Sequence, residues 1–121
     1  MGIQSYRDLR VWQGAMDLVV EVYRITTRFP ERELYGLVSQ MRRTAVEIPA
    51  SIAQGHTLEA TRDFLHHINR AQGHLATLQT HLEVVQRLGY LAEDECGAAL
   101  DRTVTIFKQL YALRNALHRD D

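Results

Sequence analysis

One cysteine, two prolines and one lysine among 121 residues are the scarcities of this chain, and each excludes something. A lone thiol, Cys96, cannot form an intramolecular disulfide, so packing and hydrogen bonds must hold the fold, as suits a reducing compartment. Two prolines and seven glycines supply little of the turn chemistry that an all-β fold consumes. Long apolar runs are missing too. The richest, Leu18 to Val22, is interrupted by Glu21, far from the ~18 apolar residues of a membrane span. The opening residues lack the apolar segment of a secretory signal, and Tyr6 stands where a myristoylation motif needs Ser or Thr. The expectation is a cytoplasmic protein with no membrane partner. A strong net charge is also absent: 14 basic and 15 acidic residues leave −1 with histidine neutral, unlike the basic profile of most nucleic-acid binders.

What is present is an ordinary balance of 45% hydrophobic and 24% charged residues, enough for one core and one domain spanning residues 1–121. Thirteen of the fourteen basic residues are Arg, with Lys108 the exception. Arg is the better residue for bidentate contact with phosphate or carboxylate, although codon usage alone produces such a bias.

Helical periodicity runs through four segments, and no segment alternates like a strand. The first, 8–29, carries Leu9, Trp12, Met16, Val19, Tyr23 and Thr26 beside a second stripe of Ala15, Leu18, Val22, Ile25 and Phe29. Together these form a face wide enough for two neighbours. Ser5 with Asp8 resembles a capping box, and Pro30 stops the helix. The second segment, 33–54, carries Leu34, Val38, Met41, Ala45, Ile48 and Ile52. Pro49 lies inside it and should cost ~3 kcal/mol or more in a straight helix. The stripe keeps its phase across Pro49, which favours one kinked helix over a break into two, with Gly55 as the C′ residue. The third, 61–88, holds a 4-3 rhythm from Phe64 through Ile68, Ala71, Leu75, Leu78 and Leu82 to Val85. It is about 42 Å long, capped by Thr61 and closed by Gly89 in the left-handed region. Gly73 in its middle costs ~1 kcal/mol relative to Ala, so it is expected to mark a close helix–helix contact. The fourth, 93–117, starts with Glu93, Asp94 and Glu95 at its positive dipole end. Four helices with short connections make an antiparallel four-helix bundle, an all-α fold.

Catalytic and metal chemistry find little footing. No two of His56, His66, His67, His74, His81 and His118 are three or four residues apart, the spacing at which a helix presents two ligands to one ion. His67, His74 and His81 lie seven apart, so successive rings are about 10 Å apart along the axis. A metal site would need ligands from several helices or subunits; no metal and no cofactor are expected. The same three histidines flank the third helix's seam, either as a solvated edge or as part of a subunit interface. Cys96 follows three acids and has no nearby base, so it reads as structural. No Gly-rich phosphate loop or nucleophile elbow appears, and no enzyme is expected. Arg42 and Arg43 form the best candidate for phosphate contact. The competing reading commits them, with Arg24, Arg28 and Arg32, to glutamates such as Glu31, Glu33 or Glu47.

Several of these residues together carry a family resemblance. Tyr6-Arg7-Asp8-Leu9-Arg10-Val11-Trp12-Gln13 resembles the opening of the bacterial 23S ribosomal RNA intervening-sequence proteins, also called four helix bundle proteins. Phe29-Pro30-x-x-Glu33-x-Tyr35-Gly36-Leu37, Gln40-Met41-Arg42-Arg43 and Ile48-Pro49-Ala50-Ser51-Ile52-Ala53-Gln54-Gly55 continue it. Asp63-Phe64-Leu65, Ala71-x-Gly73 and Leu88-Gly89-Tyr90-Leu91 complete it. The resemblance implies a left-handed up-down bundle that assembles as a ring-like homopentamer, with no established catalytic activity. Related accessory proteins of diversity-generating retroelements share the fold and bind a reverse transcriptase and nucleic acid through basic surfaces. It therefore implies a homo-oligomeric scaffold with RNA or a nucleic-acid enzyme such as a reverse transcriptase as candidate partner. The alternatives are a protein-interaction module without a nucleic-acid role, or a His-based metal or cofactor bundle. Gln54 and Thr77 stand where relatives usually carry acids, and Glu47 where Ser is common, which implies a rewired polar network around Arg42 and Arg43.

Overall fold

The apolar stripes become four long helices in the computed structural model, which describes residues 5–119. They are α1 (Arg10–Thr26), α2 (Ser39–His56), α3 (Thr61–Leu88) and α4 (Glu93–Arg119), with no strand among the described residues. Each helix packs on its neighbours in sequence, and α1 packs on α4 to close a four-helix bundle. The packing is antiparallel. Along α1 and α4, Gly14 meets Gln109, Glu21 meets Arg102 and Arg28 meets Glu95. Along α3 and α4, Asn69 meets Arg114 and Gln79 meets Thr103. In both pairs one number rises as the other falls.

The core follows the 3.6-residue period. Ala15, Leu18, Val22 and Ile25 of α1 are fully buried, as are Met41, Ala45, Ile48 and Ile52 of α2. So are all of Ile68, Ala71, Leu75, Leu78, Leu82 and Val85 in α3, and Cys96, Ala99 and Leu110 in α4. Each large aliphatic side chain among them contributes roughly 1.5–3 kcal/mol by leaving water. The companion stripe on α1 is covered only in part: Leu9 and Thr26 are buried and Trp12 and Val19 half-buried, but Met16 and Tyr23 are exposed. Its apolar character is therefore not used up inside this bundle.

Several boundaries and caps differ from expectation. Ser5 caps a short 3-10 turn at Tyr6–Asp8 instead of α1. α1 ends at Thr26, three residues early. There the Thr26 and Thr27 hydroxyls donate to the carbonyls of Val22 (2.7 Å) and Tyr23 (3.0 Å), and the chain tightens into i→i+3 bonds. Between α1 and α2 lie a 3-10 turn at Glu31–Glu33 and a π-helical turn at Leu34–Val38, neither legible in the periodicity. α2 then runs through Pro49 without a loop, the continuous alternative of the two. Thr61 does not cap α3; Ala60 holds the cap position and Thr61 is the first helical residue.

Three glycines had assigned roles. Gly89 has φ 74° at the end of α3. Its N–H donates to Gln86 O and that of Tyr90 to Val85 O, the paired bonds of a Schellman motif. Gly55 is not a C′ residue, because α2 continues to His56; it is the close approach of α2 to α3. A Cβ there would lie 2.7 Å from His67 Cβ and 2.9 Å from Phe64 Cδ1. Gly73 is no contact point within the chain: a Cβ there meets nothing within 4 Å.

Candidate nucleic-acid interface

Arg42 and Arg43 sit one turn into α2, where the preceding π-helical turn brings that helix beside the C-terminal end of α1. Adjacent helical residues point about 100° apart, and the two side chains part company accordingly. Arg42 is half-buried. Its Nε donates to Thr26 Oγ1 (3.0 Å) and its Nη2 to the Tyr23 carbonyl (3.4 Å), and its guanidinium carbon lies 4.7 Å from the centre of the Tyr23 ring. A cation on the last carbonyls of α1 meets the negative end of the helix dipole. Arg42 is thus committed to structure, but to a helix terminus and an aromatic face, not to a glutamate. Arg43 is exposed and makes no ion pair or hydrogen bond among the described residues.

The other arginines of the expected patch are dispersed. Arg28 reaches across to Glu95 on α4, and its hydrogen bond holds the Glu95 carboxyl below the usual range. Arg24 lies 3.8 Å from Glu21, which also receives Arg102 at 2.9 Å. Glu33 accepts from the Tyr90 hydroxyl (2.7 Å), and the Tyr90 ring packs on Phe29 with centroids 5.6 Å apart. These contacts clamp the α1–α2 connection to the α3–α4 connection, so the quoted Phe29, Glu33 and Tyr90 motifs are structural.

The three seam-flanking histidines are all half-buried within one chain. His67 packs over Gly55, and its Nδ1 lies 2.9 Å from the Asp63 carbonyl, so that nitrogen carries the proton. Burial pushes the His81 pKa down, and its Nδ1 is buried without a partner. His74 lies between them on the same helix. No group of three or more His, Cys, Asp or Glu side chains suited to a metal ion occurs among the described residues. Cys96 is fully buried, and burial, followed by the charge of Glu95, pushes its thiol pKa up. Ser51 is equally buried with an unpaired hydroxyl.

Sequence reasoning missed the feature that gathers most around Arg43. A cleft of about 400 Å³ is lined by Tyr23, Leu34, Tyr35, Val38, Ser39, Arg42 and Arg43. Tyr35 is 93% exposed. Its only sequence signal was its place in the Glu33-x-Tyr35-Gly36-Leu37 match, because a π-helical turn breaks the period that would otherwise have assigned it a face. Also unforeseen is a run of exposed apolar residues on α4: Val104, Phe107 and Tyr111, three and four residues apart.

A family model described as "23S rRNA-intervening sequence protein" matches residues 7–112. The chain belongs to that family. This 23S rRNA-intervening sequence protein is also similar in structure to a protein of unknown function from the S23 ribosomal protein family of Bacteroides thetaiotaomicron VPI-5482. The likeness has a TM-score of 0.80 and 18% identity, and covers 87% of this chain and 95% of that one; at that identity it shows the shared fold. No curated protein matches. No described helix of this family member is long and apolar enough to cross a membrane.

Proposed function

We propose that this protein is a non-enzymatic, homo-oligomeric helical scaffold, a five-membered ring in keeping with the family resemblance, that holds RNA. The observation that carries the assembly is the pair of unpartnered apolar patches. One is Met16 and Val20 on α1, with Val20 67% exposed; the other is Val104, Phe107 and Tyr111 on α4. They belong to different clefts. Val20 borders the one between α1 and α4, with Arg102, whereas Val104 and Phe107 border one on the α3 side with Gln79 and Lys108. A contact between unlike patches is heterologous, and repeating it closes a ring when the rotation permits. Such stripes exposed in water are otherwise unfavourable and mark interaction sites.

The non-enzymatic reading is supported by the state of the nucleophiles: Cys96 is buried with a raised pKa and Ser51 is buried. RNA contact falls to Arg43, the exposed member of the pair. A chain of net charge −1 releases few counterions, so its affinity falls only shallowly with salt. A ring repeats the modest site and gains avidity. Light scattering coupled to size exclusion tests the scaffold. The expected mass is several times the 13.9 kDa of one chain, reduced by Phe107→Glu. A single-chain mass at high micromolar concentration overturns it.

A further inference from the structure

We propose that the cleft between the C-terminal end of α1 and the π-helical turn before α2 is a nucleotide site for an unpaired strand. One base stacks on Tyr35 and its phosphate is held by Arg43. The inference rests on the RNA reading above and names where and how the strand is recognised.

Four observations converge. The cleft, about 400 Å³, lies in the range of small-ligand sites, ~300–1,000 Å³. Its lining holds two guanidinium groups, the hydroxyls of Tyr23, Tyr35 and Ser39, and no carboxylate, so it is complementary to an anion although the chain as a whole is nearly neutral. Arg42 is spent on Thr26 and Tyr23, which fixes one wall and leaves the Arg43 fork free for a phosphate, the geometry that Arg suits. Tyr35 is 93% exposed on a π-helical turn, a rare element that recurs at functional sites.

A bare aromatic ring beside a free Arg fits a base with its phosphate. An acidic peptide would satisfy the arginines but leave the Tyr35 face in water. A duplex would offer phosphates but hold its bases in its own stack, which directs base–aromatic recognition to unpaired strands. Tyr23 shares the exposed α1 face of Met16, so the inner wall of the cleft borders the assembly patch, while Tyr35 and Arg43 stand on the opposite wall, on the π-helical turn and α2.

The test is a fluorescence-anisotropy titration of a labelled single-stranded RNA 12-mer into the assembled protein at low salt. The competitors are its duplex, a mononucleotide and poly-glutamate. Tyr35→Ala should weaken binding about 5- to 150-fold, the loss of one stack worth ~1–3 kcal/mol, and Tyr35→Phe should restore it. Arg43→Gln should weaken it as well. Tyr35 covers no core, so Tyr35→Ala should keep the wild-type melting curve and mass, which separates recognition from folding. Only unlabelled strand should compete well. Binding that survives Tyr35→Ala overturns the cleft while leaving an RNA role elsewhere intact. Equal competition by poly-glutamate or duplex reduces the site to charge and overturns it. A mononucleotide as effective as the strand makes it a small-molecule site. No RNA binding by the wild type overturns both this inference and the RNA reading beneath it.

Discussion

Replacing Gly55 by alanine would place a methyl carbon 2.7 Å from His67 Cβ and 2.9 Å from Phe64 Cδ1. The aromatic ring can turn aside, but His67 Cβ is one bond from the α3 backbone and no side-chain rotation moves it. Carbon pairs settle near 3.5–4.0 Å, so α2 and α3 would have to part by roughly 0.8 Å. Overpacking of this kind costs ~1–3 kcal/mol. Against it stands the gain from replacing Gly in a helix, ~1 kcal/mol in an interior and less here, one residue from the end of α2. The clash wins, with a net loss of about 1–2 kcal/mol and a fall in Tm of about 4–10 °C. Gly73→Ala is the matched control. It has the same chemistry in mid-helix, with nothing within 4 Å of the new carbon, so the propensity gain acts alone and Tm should rise by a few degrees. Thermal melts followed by circular dichroism at one protein concentration would read both, concentration being fixed because assembly shifts Tm. Opposite signs are required. A stabilised Gly55→Ala, or a destabilised Gly73→Ala, refutes the packing argument.

Arg42→Ala should lower stability by about 1 kcal/mol through its lost bonds to Thr26 and Tyr23, while Arg43→Ala stays within about 0.5 kcal/mol of wild type; urea midpoints would separate them. The His81 pKa is lowered by burial in the folded state, so the unfolded chain binds its proton first. Its contribution is complete above pH ~6.5 and is lost as pH falls toward the folded-state value. Denaturation at pH 7.5 and 5.5 should show a smaller acid-induced loss in His81→Gln, and an unchanged loss contradicts the assignment. Ser51→Ala removes a buried unpaired hydroxyl at little change in volume, and should raise stability by about 1 kcal/mol; a loss would reveal a partner for that hydroxyl.

Where one face of a helix meets one neighbour, the period was enough. The α3 residues Ile68, Ala71, Leu75, Leu78, Leu82 and Val85 were all placed inward and all are buried, and Gly89 terminates α3 as its position implied. The same period could have corrected two glycines. Gly55 extends the Ile48–Ile52 stripe toward α3, whereas Gly73, two residues from both Ala71 and Leu75, must face away. The argument that a mid-helix glycine needs a packing gain overrode that phase. On α1 the wide face does meet two neighbours, α2 and α4, yet Met16 and Tyr23 stay exposed: apolar spacing tells that a face wants covering, not whether the cover lies in the same chain. Tyr35 lay beyond reach, because a π-helical turn shifts the register on which every facing argument depends. For Arg42 the sequence offers phosphate or a glutamate as partner, and neither reading finds Thr26 and Tyr23, because the helix end it meets is distant in sequence.

The central claim is assembly through unlike patches, and mixing two charge variants tests it most directly. Val20→Glu disables the α1 patch and Phe107→Glu the α4 patch; each alone should elute as a single chain. Mixed, the intact α4 patch of the first should meet the intact α1 patch of the second, giving the mass of two chains by light scattering and nothing larger. If either variant alone forms dimers, like patches pair with like. If the mixture stays at 13.9 kDa while the wild type assembles, the contact lies elsewhere on the bundle. Either result contradicts the account.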